Sequence, residues 1–174
     1  AIRRILLDSA TTRLEPVPEL LLYFASRAQN VREVIQPALA AGHIVLCDRY
    51  VDASAAYQGC GRGLGLDVVA DLARIACDGV RPDLTLLLDV QPEDGLPRAR
   101  TRIAAAASAA ARAPDEGRFE RENLAFFHRV RRAYLDIAAG DPGRVVVIAA
   151  APPLDEVEAA VWRAVRERLG LAET

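Results

Sequence analysis

The chain lacks lysine and methionine, and each absence limits what it can do. All 22 basic residues are arginine, which excludes any mechanism that needs a lysine from these 174 residues. The absence of methionine, with Ala1 as the first residue, predicts a processed or truncated chain. No apolar run approaches the roughly 20 residues that span a bilayer, and we expect no signal peptide. The sequence therefore predicts a protein with no membrane association.

Histidine and cysteine are too scarce for a metal cage. The two histidines, His43 and His128, stand apart, and the three cysteines show no C-x-x-C spacing. An odd number of thiols without a secretion signal predicts a reduced, cytoplasmic protein. A net charge of -2 gives no support for nucleic-acid binding. The composition, 52% hydrophobic and 26% charged, predicts one globular domain over residues 1–174.

Three short apolar runs are typical of buried strands, at Ile44–Cys47, Leu84–Val90 and Arg144–Ala149. The segments around them have helical periodicity, and residues 9–18 are predicted as a loop because of Pro16 and Pro18. Strands that alternate with helices predict an α/β fold, a parallel sheet with helices on both faces. The predicted helices are Ile2–Leu7, Glu19–Ala41, Leu66–Cys77, a helix from Pro92, Glu120–Ala139 and Asp155–Leu169.

Polar residues follow the first predicted strand directly. Ligands bind beyond the carboxyl ends of the strands in open α/β sheets, and Asp48-Arg49 lies at that edge. The planar guanidinium of Arg49 suits a phosphate group. A surface ion pair that caps the strand is the alternative. Ser54, Tyr57 and Gln58 follow on neighbouring turns of a short predicted helix and favour a binding site.

Tyr23 and Arg27 form a second candidate group. They are four residues apart and share one face of a predicted helix. An aromatic ring and a guanidinium can stack on a nucleobase and hydrogen-bond its edge. The alternative is that Tyr23 or Phe24 is a core residue, and for Phe24 we favour the core.

Arginines are dense between residues 98 and 120. Such a run is usually a solvated helix face, but a mobile lid over a transferring phosphoryl group has the same composition. The sequence has neither G-x-x-x-x-G-K-[ST] nor G-x-G-x-x-G. The arginines concerned are Arg98, Arg100, Arg102, Arg112 and Arg118.

Four segments together resemble bacterial thymidylate kinase, over about Ile2 to Leu169. The most specific is D-R-Y-x-D-x-S-x-A-Y-Q-G; the others are PELLLYFASRAQ, PDLTLLLDV and RFERENLAFFHRVRRAYL. The resemblance implies the fold of P-loop nucleoside monophosphate kinases. It also implies transfer of the ATP γ-phosphoryl group to dTMP, giving dTDP for dTTP synthesis, with Mg²⁺ as cofactor. A homodimer through the two helices that begin at Glu19 and Leu66 is typical of this fold.

The resemblance also assigns roles around the base and sugar. Tyr23 matches the position that stacks on thymine, and Arg27 matches the arginine that binds the exocyclic oxygen. Ser54 and Gln58 match positions that contact the rest of the base edge, and Tyr57 lies against the deoxyribose.

Charged groups receive roles around the phosphates. Arg49 matches the arginine on the acceptor phosphate, with Arg3 as its partner, and Asp48 is placed near the magnesium ion. The resemblance implies a lid at about 98–120 that contains Arg98, Arg100, Arg102 and Arg112. Arg118 at its end is catalytic, and Glu120 points back towards the substrate.

The front of the family pattern is missing from the 174 residues. Family members carry a first strand and a phosphate-binding loop with its lysine there. Without that strand, the predicted strands at Ile44 and Leu84 have no partner between them, which leaves open edges. We expect a fragment of a working kinase that is inactive alone. The alternative is an inactive nucleotide-binding paralogue that retains the dTMP pocket and has lost the ATP loop.

Overall fold

The computed structural model describes residues 2–7, 14–109, 119 and 122–170. Within these ranges eight α-helices, two π-helical segments and two strands follow one another along the chain. None of the described helices is long and apolar enough to cross a membrane. The helices are α1 Ile2–Leu7, α2 Pro16–Asn30, α3 Gln36–Ala40, α4 Val51–Ser54, α5 Leu66–Ala76, α6 Pro92–Ala109, α7 Leu124–Gly140 and α8 Leu154–Leu169; the π segments are π1 Val31–Ile35 and π2 Ala55–Gly61.

The sheet contains two parallel strands, β1 Thr85–Asp89 and β2 Val145–Ala149. They pair in register, with Thr85 opposite Val145 and Asp89 opposite Ala149. The crossover between them runs through α6 and α7, and both α7 and α8 pack against β2. The prediction of a parallel sheet with intervening helices is therefore confirmed.

The predicted strand at Ile44–Cys47 is wrong. This segment has no regular structure, and Ile44 and Leu46 are 80% and 96% exposed. A strand needs a neighbour for its N–H and C=O groups, and β1 pairs with β2 alone among the described residues.

Local chemistry explains three differences between the predicted and the observed helices. Helix α2 begins at Pro16, inside the predicted loop, because proline suits the first turn of a helix. Pro37 lacks the N–H that a regular helix would use, and π1 precedes it in the otherwise continuous segment 16–40. Helix α7 begins at Leu124 rather than Glu120, since the side chain of Asn123 accepts a hydrogen bond from the N–H of Phe126 (2.8 Å) and caps it.

Segment π2 lies at the centre of the hydrophobic packing. It contacts α7 on one side and α5 on the other. Gly59 and Gly61 are buried in π2, and a Cβ atom on Gly61 would lie 2.8 Å from Cε2 of Phe126 and 3.0 Å from Cγ2 of Val130. Glycine at position 61 is therefore required by close packing against α7.

We expect Gly61→Ala to lower the free energy of unfolding by about 1–3 kcal/mol, the usual cost of overpacking a well-packed core. Phe126 is 2% exposed and has little room to move away. Gly140→Ala is the matched control, because nothing lies within 4 Å of its added Cβ. Urea unfolding of both variants measures the difference. Equal stability of the two would contradict the packing argument.

Candidate functional site

Arg27 joins helix α2 to helix α4. Its Nη2 donates to the carbonyl oxygen of Tyr50 and to Oγ of Ser54, both at 3.0 Å. The guanidinium also lies 4.5 Å from the centre of the Phe24 ring. Burial lowers the pKa of Arg27 from its ordinary value, although arginine remains charged. The structure thus brings Arg27 and Ser54 together.

The other terminal nitrogen of Arg27 has no acceptor. Nη1 is buried and donates to no described residue. Leaving a buried donor unsatisfied costs free energy, and the cost is larger for a charged group. An oxygen of a bound ligand would satisfy this donor.

Tyr23 and Tyr57 share one aromatic cluster. Tyr57 makes edge-to-face contacts, with ring centroids 5.2 Å from Phe119 and 6.3 Å from Tyr134. Tyr23 is half-buried and packs against the same cluster, whereas Phe24 is 3% exposed and belongs to the core, as predicted. Burial raises the pKa of Tyr134, so this ring remains neutral at physiological pH.

Arg49 has an unusual backbone. Its φ of 68° lies in the left-handed region that residues with a Cβ rarely adopt. The guanidinium lies 5.0 Å from the centre of the Tyr57 ring, and the neighbouring Asp48 is exposed. The prediction that a buried strand holds Arg49 is wrong. A left-handed turn and the Tyr57 ring orient it instead, and strained residues of this kind cluster at functional sites.

Gln58 binds a partner that sequence reasoning missed. Its Nε2 donates to Oε1 of Glu19 at 2.7 Å, and both residues are buried. Arg62 lies on the other side of Glu19, with Nη2 3.5 Å from Oε2. Glu19 precedes Tyr23 by four residues and Arg27 by eight, so the helical spacing on α2 could have indicated it.

A second missed group holds α4 to the sheet. Arg144 donates from Nη1 and Nη2 to the two carboxylate oxygens of Asp52, at 2.6 and 3.2 Å. Nη1 also donates to Oγ1 of Thr85 at 2.9 Å, and Nε donates to Asp141. These bonds connect the helix after Arg49 to the start of both strands.

The family model for thymidylate kinase matches residues 1–161. This chain belongs to the thymidylate kinase family. It is 51% identical to the thymidylate kinase of Trichlorobacter lovleyi over 98% of this chain and 78% of that protein. For the thymidylate kinase of Deinococcus radiodurans the identity is 47%, over 96% of this chain and 75% of that protein.

A solved structure agrees with this assignment. The crystal structure of thymidylate kinase from Ehrlichia chaffeensis matches with a TM-score of 0.67 and 26% identity, over 90% of this chain and 70% of that one. The expected family, the P-loop kinase fold class and the phosphotransferase activity are therefore confirmed. The inactive paralogue receives no better support from these comparisons.

The structure describes only some of the other predicted site residues of this kinase. Arg98, Arg100 and Arg102 are exposed on α6. Arg112, Arg118, Glu120 and the side chain of Arg3 lie outside the described part of the chain. The described residues contain no group of three or more His, Cys, Asp or Glu that could hold a metal ion.

The left-handed backbone of Arg49 generates a stability prediction. We expect Arg49→Gly to be more stable than Arg49→Ala by about 1 kcal/mol, because only glycine adopts positive φ without steric cost. Both changes remove the guanidinium, so its contact with Tyr57 cancels in the comparison. Chemical unfolding measures the difference. If Arg49→Ala were the more stable variant, the left-handed backbone conformation at position 49 would be refuted.

Proposed function

We propose that the cluster around Arg27 is the dTMP site of a kinase that transfers the γ-phosphoryl group of ATP to dTMP, giving dTDP. The observation that carries this proposal is the buried Nη1 of Arg27, which has no acceptor among the described residues. The exocyclic 4-oxygen of thymine is an acceptor of the right kind. Nη2 of Arg27 already donates to Tyr50 and Ser54, so Nη1 is the nitrogen that can donate to this oxygen.

Other predicted site residues would bind the rest of the base and the deoxyribose of dTMP. Tyr23 is half-buried four residues before Arg27, where its ring can stack on the base. Ser54 and Gln58 contact the remaining base edge. Tyr57, held edge-to-face in the aromatic cluster, lies against the deoxyribose.

Arg49 and the lid act on the phosphate in this proposal. The guanidinium of Arg49 is partly oriented by the Tyr57 ring before substrate binds, and Arg3 is its partner. Residues of about 98–120 form a lid within a single domain, and its closure brings arginines to the phosphoryl group and excludes water. The lid residues are Arg98, Arg100, Arg102 and Arg112, with Arg118 as a catalytic group and Glu120 facing the substrate.

ATP is the phosphoryl donor and Mg²⁺ the cofactor in this proposal. Asp48 would supply one carboxylate oxygen to the ion, whose other ligands would be phosphate oxygens and water. The ion would neutralise charge on the phosphates. The 174 residues contain no G-x-x-x-x-G-K-[ST] motif and no lysine, so we derive no step through the ATP phosphates.

We also propose a cytoplasmic homodimer. Large apolar side chains are exposed on α2 and π1 and on α5, the helices expected to pair. Ile75 is 73% exposed and Val34 is 55% exposed. Burying such residues against a second copy would remove apolar surface from water.

The base site can be tested with Tyr23→Ala and Arg27→Ala in the active kinase. Stacking of one base is worth about 1–3 kcal/mol, so we expect dTMP affinity to fall about tenfold to a hundredfold in each variant. ATP affinity should change far less. Phe127→Ala is a control for disturbance of the same aromatic cluster. Isothermal titration gives both affinities, and unchanged dTMP binding in the two site variants would refute the assignment.

A further inference from the structure

Glu19 is a fully buried carboxylate directly behind the proposed base site. Its side chain is 0% exposed, which is rare for an acidic residue unless it is paired. The two oxygens bind different donors. Oε1 accepts from Nε2 of Gln58 at 2.7 Å, and Oε2 lies 3.5 Å from Nη2 of Arg62.

Arg62 forms an ion pair with this carboxylate. Its guanidinium is only 18% exposed and lies 5.0 Å from the centre of the Phe126 ring. It also forms an ion pair with Glu122. Because a guanidinium can only donate hydrogen bonds, Arg62 requires an acceptor oxygen at position 19.

Oε1 of Glu19 accepts a hydrogen bond from the NH₂ group of Gln58. The amide oxygen of Gln58 is therefore left for another partner. No described residue donates to that oxygen. Gln58 follows Ser54 by four residues, and Ser54 binds Arg27. Gln58 can therefore offer the base only its amide oxygen, which is a hydrogen-bond acceptor.

We propose that Glu19 is a positioning residue that sets the pyrimidine specificity of the site through the amide orientation of Gln58. This inference rests on the proposed dTMP site. Thymine carries a hydrogen on N3 and can donate to the Gln58 oxygen. In cytosine, N3 carries no hydrogen and is an acceptor. It would therefore face the Gln58 oxygen, a second acceptor, without a hydrogen bond.

Replacing Glu19 by glutamine should reverse the amide of Gln58. Glutamine offers one oxygen and one NH₂ group. Arg62 can only donate, so it takes the oxygen and leaves the NH₂ group facing Gln58. The amide oxygen of Gln58 then accepts a hydrogen bond from the new side chain at position 19. As a result, the NH₂ group of Gln58 faces the base.

The experiment compares dTMP with 5-methyl-dCMP, which retains the 5-methyl group. Isothermal titration of the active kinase gives the ratio of the two dissociation constants. We expect Glu19→Gln to reduce the preference for dTMP about tenfold. In this variant the hydrogen bond between thymine N3–H and Gln58 is lost, because two donors then face each other. The contact of Arg27 with the 4-position is the same in both proteins and cancels in the comparison.

Two further variants separate this role from a purely structural one. Glu122→Gln removes the other carboxylate beside Arg62 but leaves the Glu19–Gln58 bond intact, so the preference should stay at the wild-type value. The exchanged pair Glu19→Gln with Gln58→Glu retains one carboxylate and one amide at these two positions. It again presents an acceptor to the base, so we expect the preference to return to within about threefold of wild type, since the acceptor pattern is restored.

The outcomes distinguish the two proposals. A wild-type protein that does not prefer dTMP over 5-methyl-dCMP would refute the dTMP site itself. A normal preference that Glu19→Gln leaves unchanged, with both affinities falling equally, would show that Glu19 only stabilises the fold. If Glu19→Gln does not fold, the exchanged pair decides, and a folded pair without dTMP preference would overturn the inference.

Discussion

The guanidinium of Arg27 is the contact on which the arrangement of the site depends. It connects α2 to the carbonyl of Tyr50 and the hydroxyl of Ser54, two groups on either side of the start of α4. Because its charge is buried, the protein must provide acceptors or aromatic faces around it. The ring of Phe24 and the two hydrogen bonds satisfy part of that requirement. The remaining donor, Nη1, has no acceptor among the described residues and can bind a ligand. Arg27 therefore contributes both to the stability of the fold and to ligand binding.

Segment π2 carries the other half of the site, and neighbouring helices hold it on several sides. The buried Glu19 binds it from α2 through Gln58. Gly61 allows α7 to approach closely, and the aromatic cluster around Tyr57 fills the space beside it. Further along, Arg144 fixes α4 to the strands through Asp52. A site whose helical segments are packed and hydrogen-bonded to one another can hold its polar groups in position before substrate arrives.

Local patterns predicted most of the fold. The apolar runs at β1 and β2 and the helical periodicity from Leu66 and Asp155 correspond to observed elements, because burial repeats at a fixed period in each. Ile44–Cys47 shows the same apolar pattern but forms no strand, since pairing depends on a neighbour that local sequence does not reveal. The resemblance to thymidylate kinases implied that Arg27 and Ser54 line one site. The Glu19–Arg62 and Arg144–Asp52 pairs could not be predicted, because they join residues 43 and 92 positions apart.

The most direct test of this account is a crystal structure of the kinase with dTMP bound. The account predicts a hydrogen bond of about 3 Å between Nη1 of Arg27 and the 4-oxygen of thymine. Nη2 should retain its contacts with Tyr50 and Ser54, since those bonds are present without ligand. A thymine ring bound away from Arg27, or one that leaves Nη1 without an acceptor, would contradict the central claim.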